Sequence, residues 1–198
     1  MPDLRVPPMA EPKSFNDISS VPWANEAIEN LSGRNIINGR GDNGFYPQDN
    51  VTRAEFVKML VYGLSLNESS SALPFSDVSP EDWYYLPVMT AYSSKIVTGI
   101  SSDFFGANDN ITREDIFTIM YRLLKDKNLF SAADGSEKVI TDYINVSDYA
   151  KPAVTYFTSH NIVSGYDDGS ILPKNPATRA ETAVILNRVI ERVLEVSR

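Results

Sequence analysis

The tetrapeptide Thr52-Arg53-Ala54-Glu55 returns twice in this chain, as Thr112-Arg113-Glu114-Asp115 and as Thr178-Arg179-Ala180-Glu181. Each of these threonines follows a glycine by 13 residues, and each glycine follows a large aromatic residue by 16. The glycines are Gly39, Gly99 and Gly165, and the aromatic residues are Trp23, Trp83 and Tyr149. Successive copies are offset by 60 and then 66 residues. The chain therefore contains three copies of one supersecondary unit.

Each copy contains two segments with helical periodicity. In the first copy Trp23, Ala24, Ala27, Ile28 and Leu31 form a single apolar stripe, and a second stripe follows the Thr-Arg pair. Thr followed three residues later by an acid is a capping box, which predicts a helix start at each pair. A unit of about 50 residues is small for an independent core. We therefore predict an all-α fold in which three tandem helix-loop-helix repeats pack as one domain.

The predicted boundaries follow from this pattern. Three prolines fall within residues 6–12, which suits an extended segment, so we interpret residues 1–14 as a linker or tail. The repeats are then predicted at residues 15–66, 75–125 and 141–193.

Composition excludes several classes of function. The net charge of -8 disfavours binding to nucleic acid or to an anionic membrane. The chain has no cysteine, which excludes disulfides and thiolate metal sites. Asp42-Asn43-Gly44 and Asp167-Asp168-Gly169 are read as turns, because neither has the ligand spacing of an EF-hand. We predict no metal site and no cofactor.

An enzyme is also disfavoured. His160 is the only histidine, and no nucleophile-elbow, zinc-protease or phosphate-loop motif is present. The 26 acidic residues leave a glycosidase carboxylate pair open as an alternative. We predict a protein without catalytic activity.

The arginines of the repeated tetrapeptides are unusual. Arg53, Arg113 and Arg179 each occupy the first position of a predicted helix, where the helix dipole disfavours a cation. They could pair with a neighbouring acid or cover apolar surface with their methylene groups. Alternatively, guanidinium groups beside free helix amides would bind a carboxylate or a phosphate.

The openings of the copies have two interpretations as well. They read Phe15-Asn16-Asp17-Ile18, Phe75-Ser76-Asp77-Val78 and Tyr143-Ile144-Asn145-Val146. Asp17 and Asp77 could cap turns while Trp23 and Trp83 fill the core. Alternatively, a Trp with nearby Asp, Gly and Arg is the set of side chains that binds a sugar. The combination indicates an acidic carbohydrate.

With this framework of Phe-x-Asp, Trp, Ile-x-Gly and Thr-Arg-Ala-Glu in three copies, the chain resembles the S-layer homology domain family over residues 15–193. The resemblance implies a three-pronged pseudo-trimer around a central helical bundle, with grooves between the prongs. It implies binding of secondary cell wall polymer, typically through terminal pyruvylated N-acetylmannosamine, which tethers an S-layer protein or an exoenzyme. It also implies a secreted protein at the cell wall or S-layer surface, with possible lateral assembly through parts outside this chain.

By this resemblance, the pyruvate carboxylate is expected to meet Arg53, Arg113 or Arg179, with Arg53 ranked first. Backbone access would come at Gly39, Gly99 and Gly165. Asp17 with Trp23, and Asp77 with Trp83, would complete the saccharide contacts.

The third copy departs from the pattern, because Asn145 stands for Asp and Tyr149 for Trp. We expect these two residues to form a weaker contact. Glu114 follows Arg113 where the family has Ala, and an extra acid could weaken the Arg113 site.

Two other binding functions remain open. Tyr84, Tyr85, Phe104 and Phe105 would serve a self-assembly module if they are exposed. The wall ligand could also be peptidoglycan.

Overall fold

The computed structural model describes residues 4–67, 72–130 and 138–196. Six α-helices appear in chain order: α1 (Asn25–Gly33), α2 (Arg53–Gly63), α3 (Tyr85–Ser93), α4 (Arg113–Asp126), α5 (Lys151–Ser159) and α6 (Arg179–Val196). Single-turn 3-10 helices lie at Ile18–Ser20, Pro22–Ala24 and Tyr143–Asn145. The described ranges contain no β-strand, and the predicted all-α class is confirmed. None of the described helices is both long and apolar enough to cross a membrane.

The second helix of each repeat begins at the threonine of the tetrapeptide. The Oγ1 atoms of Thr52, Thr112 and Thr178 accept hydrogen bonds from the backbone N–H three residues later, at 3.2–3.3 Å. The carboxylates of Glu55 and Glu181 accept a hydrogen bond from the threonine N–H, which completes the capping box in the first and third repeats. The prediction of a third complete box was wrong. Asp115 is one methylene shorter than Glu, and its carboxylate instead contacts Arg53 and Tyr149.

The three repeats meet in a closed ring of backbone hydrogen bonds. The N–H of Val51 donates to the carbonyl of Ala177 at 3.0 Å, the N–H of Ala177 donates to Ile111 at 3.0 Å, and that of Ile111 donates back to Val51 at 2.9 Å. These residues lie just before α2, α4 and α6, and all three are buried. The ring fixes the starting points of the three second helices around one centre.

Helices pair across repeat boundaries rather than within them. Helix α2 of the first repeat packs against α3 of the second, and α4 of the second packs against α5 of the third. Helix α6 closes the circle by packing against α1. Each pair buries apolar side chains in a core that runs through all three repeats. Each repeat therefore depends on a neighbour for the partner of both its helices.

Residues 4–14, the described part of the predicted linker, form no regular element but lie against the first repeat. Leu4 is buried in the core, and the N–H of Ala10 donates to the carbonyl of Gly33 at 2.8 Å. Nη1 of Arg34 donates to the carbonyl of Pro7, and Nζ of Lys13 donates to Oδ1 of Asn38. The segment thus covers the end of α1.

A buried carboxylate ties the second repeat to the third. Glu114 is only 2% exposed. Its carboxylate accepts hydrogen bonds from Nζ of Lys174 at 2.6 Å, from the N–H and Oγ of Ser147 at 3.0 and 2.9 Å, and from the hydroxyl of Tyr149 at 3.1 Å. Burial alone raises the pKa of Glu114, but the bonds from Lys174 and Ser147 outweigh it and hold the pKa below its ordinary value.

Glu114→Gln should lower the free energy of unfolding by about 1.5–3 kcal/mol at neutral pH, because it removes charge-assisted bonds from a buried network. A lowered folded pKa means that the stabilisation is present above the unfolded pKa and lost as pH falls through the folded value. The difference from wild type should therefore shrink below about pH 4. Urea unfolding of wild type and variant at neutral pH and below about pH 4 measures this difference in the free energy of unfolding.

The matched control is Glu29→Gln, which removes an exposed acid from α1. Its effect should stay within about 0.5 kcal/mol. An equal loss in both variants, or a Glu114→Gln loss that persists in acid, would contradict the assignment.

A second test asks whether the first two repeats fold cooperatively without the third. A fragment of residues 1–130 lacks α6, so it exposes the α1 face and breaks the Val51–Ala177 bond. We expect it to melt without a cooperative transition by circular dichroism, whereas the full chain melts cooperatively. A cooperative melt of the fragment would show that two repeats suffice.

Candidate functional site

Three surface grooves lie between the repeats, and each is lined by all three of them. The Trp83 groove combines Trp83 with Arg179 and the face of α2, and its volume is about 350 Å³. The Trp23 groove combines Trp23 with Arg113 and the face of α6, at about 470 Å³. The Tyr149 groove combines Tyr149 with Arg53 and the face of α4, at about 330 Å³. The sequence left open which arginine shares a groove with which aromatic residue, and the cross-repeat helix pairing decides it.

The same four helix positions line every groove. They lie 3, 6, 7 and 10 residues after the capping threonine, a spacing that places them on one helix face. In the Trp83 groove they are Glu55, Lys58, Met59 and Tyr62; in the Trp23 groove, Glu181, Val184, Ile185 and Arg188; in the Tyr149 groove, Asp115, Thr118, Ile119 and Arg122. None of these positions was predicted to line a site, and the acid at the first of them was predicted only as a helix cap. Helical spacing counted from each capping threonine could have found them.

The three aromatic residues lie at the surface rather than in the core. Trp23, Trp83 and Tyr149 are 58%, 54% and 53% exposed, and each lies just before the first helix of its repeat. The interpretation of the tryptophans as core residues was therefore wrong. An exposed indole face is available for an apolar or saccharide surface.

The prediction that the helix N-terminal amides are free was wrong. The N–H groups of Arg53 and Ala54 donate to carbonyls of the second repeat, at Asp109 and Ala107. The amides after Thr112 and after Thr178 are occupied in the same way by carbonyls of the next repeat around the ring. An anion in a groove would have to be held by side chains.

Each arginine holds the loop of the next repeat. Nη2 of Arg53 donates to the Thr98 carbonyl at 2.8 Å, and Nε of Arg113 donates to the Ile171 carbonyl at 2.7 Å. Arg179 donates through Nη2 and Nε to the carbonyls of Asn38 and Phe45, both at 2.8 Å. These contacts give the arginines a structural role. Burial lowers the pKa of Arg53 and of Arg179, so a bound anion would relieve part of that cost.

The arginines differ in their acidic partners. Nη1 of Arg113 forms an ion pair with Oε1 of Glu181 at 2.9 Å, and Nη1 of Arg53 lies 3.8 Å from Oδ2 of Asp115. Within the described residues, no carboxylate is paired with Arg179. The Trp83 groove therefore contains the one of the three arginines that has no carboxylate within ion-pair distance among the described residues, although Glu55 and Asp49 lie near enough to attract it.

The hydroxyl groups beside the paired arginines are also engaged. Burial and a hydrogen bond to Glu181 raise the pKa of Tyr166 to about 12, so this phenol stays protonated and donates to the acid that Arg113 contacts. The Tyr149 hydroxyl is bonded to Asp115 at 2.9 Å and to Glu114. Glu114 thus lies beside Tyr149 and does not line the Arg113 groove, and its carboxylate is engaged by Lys174 and Ser147. Its effect on the Arg113 site stays a prediction.

Asp17 and Asp77, near the start of their repeats, each bind backbone N–H groups in the loop of the same repeat. Asp17 accepts bonds from the N–H groups of Phe45 and Tyr46 at 2.8 and 2.7 Å, and Asp77 accepts from those of Phe105, Gly106 and Ala107 at 2.7–3.2 Å. Burial raises the pKa of Asp77, but the three amide bonds outweigh it and lower the pKa. Neither aspartate lines a groove. The turn-capping alternative is the one that the structure shows.

The prediction that Asn145 is the third repeat's counterpart of Asp17 and Asp77 was wrong. Asp142 accepts the equivalent bonds in the third repeat, from the N–H groups of Ile171 and Leu172 at 2.9 and 2.8 Å. Asn145 is exposed and lines none of the three grooves. Ile140, and not the aromatic Tyr143, occupies the position of the opening phenylalanine, because it lies two residues before Asp142 as Phe15 does before Asp17. One extra residue separates Asp142 from Tyr149.

The central glycines are required by packing within each loop. A Cβ atom at Gly39 would lie 2.5 Å from the Phe15 ring, and one at Gly99 would lie 2.3 Å from the Ser101 carbonyl. Gly165 adopts a φ of +75°, and its Cβ would lie 2.6 Å from the Ser170 carbonyl. Gly99 and Gly165 line grooves, whereas Gly39 lies next to Asn38, which lines the Trp83 groove.

The other candidates lie away from the grooves. His160 packs on Tyr156 with ring centroids 4.1 Å apart, and its Nδ1 bonds the Tyr156 carbonyl. Among the aromatic residues considered for self-assembly, Tyr84 and Phe105 are buried at 6% and 0% exposure, so the expectation that they are exposed was wrong. Asp42 and Asp168 bond the N–H two residues later, as in a turn.

Comparison with known proteins follows the same three units. The S-layer homology domain pattern matches residues 14–57, 74–117 and 139–183. An amylopullulanase of Thermoanaerobacterium thermosulfurigenes is 33% identical over 91% of this chain and 10% of that protein. An exoglucanase of Acetivibrio thermocellus is 34% identical over 90% of this chain and 16% of that enzyme. The surface-layer 125 kDa protein of Lysinibacillus sphaericus is 26% identical over 94% of this chain and 16% of that protein.

The chain spans between 10% and 16% of the length of these relatives. What they share with it is the region of the three repeats. The three family matches cover more than half of the chain and coincide with the units that build the ring and the grooves. The chain therefore belongs to the S-layer homology domain family, as three tandem repeats of that domain.

Proposed function

We propose that this chain is a non-catalytic module that anchors a larger protein to the cell wall by binding an acidic saccharide. The saccharide class is secondary cell wall polymer with terminal pyruvylated N-acetylmannosamine, and the parent is a secreted surface-layer protein or exoenzyme. Membership in the family supports anchoring, as do relatives that include a surface-layer protein and two polysaccharide-degrading enzymes much longer than this chain.

The observation that carries the proposal is Arg179 in the Trp83 groove. This guanidinium has no paired carboxylate within the described residues, and it lines the same groove as an exposed indole. A carboxylate bound by the guanidinium and a sugar ring stacked on the indole would use both features. The Trp83 groove is therefore proposed as the principal site, in place of the groove of Arg53, which was ranked first from sequence.

The other two grooves are proposed as weaker sites for a carboxylate. In the Trp23 groove, Glu181 already neutralises Arg113 at 2.9 Å, and an incoming anion would have to displace it. In the Tyr149 groove, Asp115 lies near Arg53 and the aromatic residue offers less stacking surface than Trp. Peptidoglycan binding and self-assembly remain alternatives, although burial of Tyr84 and Phe105 leaves only Phe104, at 42%, fully at the surface among the four aromatic residues considered for self-assembly.

The first test compares Arg179→Ala with Arg113→Ala by calorimetric titration with the methyl glycoside of pyruvylated N-acetylmannosamine. Arg179→Ala should weaken the tightest binding step by about 30- to 1000-fold, because it removes a charge-assisted contact. Arg113→Ala should change that step by less than about threefold, since its charge is already paired.

Both arginines hold a neighbouring loop, so thermal melts must show that each variant is folded. Arg179→Lys keeps the charge without the two-pronged geometry and should give an intermediate affinity. Equal losses in Arg179→Ala and Arg113→Ala would contradict the ranking of the grooves. If the folded wild type does not bind the glycoside, the proposed ligand is wrong.

The second test uses the two tryptophans of the chain, which lie in different grooves. Trp23→Phe leaves Trp83 as the only indole, and Trp83→Phe leaves Trp23. The pyruvylated glycoside should change the fluorescence of the Trp23→Phe variant at the lower concentration, because a stacked sugar alters the environment of Trp83.

The same sugar without pyruvate is the control and should leave both signals unchanged over that range. A response that appears first in the Trp83→Phe variant would place the principal site in the Trp23 groove instead.

A further inference from the structure

One position of the groove-lining helix face carries a different kind of side chain in each of the three grooves. The residue six after the capping threonine is Lys58 in the Trp83 groove, Val184 in the Trp23 groove and Thr118 in the Tyr149 groove. The pseudo-threefold backbone places these side chains at equivalent points of the three helices. A cation, an apolar group and a hydroxyl thus occupy the same place in the three grooves. Four residues further along each helix the order is reversed, because Tyr62 lines the Trp83 groove where Arg188 and Arg122 line the other two.

Lys58 lies against the aromatic surface of its groove. Its Nζ is 5.0 Å from the centroid of the Trp83 ring, within the range of a cation–π contact. The only acid that lines this groove, Glu55, accepts a bond from the Thr52 N–H at 2.8 Å in its capping box. Within the described residues no carboxylate is paired with Lys58.

The Trp83 groove therefore contains two cations, Arg179 and Lys58, without a paired carboxylate. One carboxylate bound at Arg179 would satisfy only one of them. A sugar ring stacked on Trp83 would also displace the Lys58 ammonium from the indole, which costs the cation–π attraction. A neutral neighbouring sugar does not replace that attraction, whereas a second anionic group does.

We propose that Lys58 is a specificity-determining residue that makes the Trp83 groove select a saccharide with two anionic groups. Arg179 binds the carboxylate of the first sugar, and Lys58 binds an anionic group on the adjoining sugar. This inference rests on the proposed function and adds the charge of the neighbouring unit. The adjoining group is either a uronic acid carboxylate or a phosphate ester, since a lysine binds both as a point charge.

The experiment is a set of calorimetric titrations of the full chain with three synthetic disaccharides. Each begins with pyruvylated N-acetylmannosamine. The adjoining sugar is neutral N-acetylglucosamine in the first, glucuronic acid in the second, and N-acetylglucosamine with a phosphate ester in the third. The comparison isolates the second charge and distinguishes its two sources.

Wild type should bind at least one of the doubly charged disaccharides about three- to tenfold more tightly than the neutral-neighbour one, as expected for a solvent-exposed charge pair. Lys58→Gln should remove that preference, and it should tighten binding of the neutral-neighbour probe by about two- to fivefold, because no cation–π contact then has to be broken. The matched control is Lys125→Gln, which removes the same charge from an exposed position on α4 outside the grooves and should keep the preference.

Two results would overturn the role of Lys58 while leaving the proposed function intact. One is a wild type that binds all three probes equally but loses them in Arg179→Ala. The other is a preference for the charged neighbours that survives in Lys58→Gln. Failure of the folded wild type to bind any probe would overturn both the proposed function and this inference.

Discussion

The ring of three hydrogen bonds among Val51, Ile111 and Ala177 is the constraint on which the rest of the structure depends. Each of these residues uses both its N–H and its carbonyl on the other two repeats. A buried backbone group without a partner is costly, so the ring is stable only when all three repeats are present. It sets the starting points of α2, α4 and α6, and the Thr caps continue directly from it. Three units too small to hold a core separately thereby share one.

The grooves follow from the ring because the arginine comes one residue after each capping threonine. At that position its side chain reaches the loop of the next repeat, where backbone carbonyls accept its bonds. These contacts offset the unfavourable position of a cation at a helix start. Cross-repeat helix pairing then brings to the same groove an aromatic residue from whichever repeat supplies neither the arginine nor the groove-lining helix. The chemistry of each groove is decided by side chains on a nearly repeated backbone.

The sequence could predict whatever depends on local spacing. The helix starts at Thr52, Thr112 and Thr178 follow from capping chemistry, and the need for Gly39 follows from a pattern repeated at fixed intervals. Long-range pairing could not be predicted, because no residue near Arg179 in the chain indicates that Trp83 lies across its groove. The occupied helix amides escaped prediction for the same reason, since their acceptors belong to another repeat.

Some local features were missed because two residues could serve one role. Tyr143 and Ile140 are both apolar and both precede the third repeat's first helix, and the aromatic one looked like the better match. Only the bonds from Ile171 and Leu172 to Asp142 identify the true register. Similarly, Asp115 resembles Glu55 in sequence, but its shorter side chain contacts Arg53 and Tyr149 instead of closing the capping box.

The net negative charge of the chain limits where an anionic ligand can bind. With a net charge of -8, the protein repels polyanions at long range, although at physiological salt this repulsion is screened beyond about 8 Å. An acidic polymer is therefore bound only where local cations outweigh the surrounding acids. Glu181 removes that excess beside Arg113, and Asp115 reduces it beside Arg53. Arg179 and Lys58 outnumber Glu55, the one carboxylate that lines their groove, and Arg53 with Arg122 likewise outnumber Asp115. These two grooves therefore differ in how closely the carboxylate approaches its arginine, which is within ion-pair distance only at Arg53, at 3.8 Å.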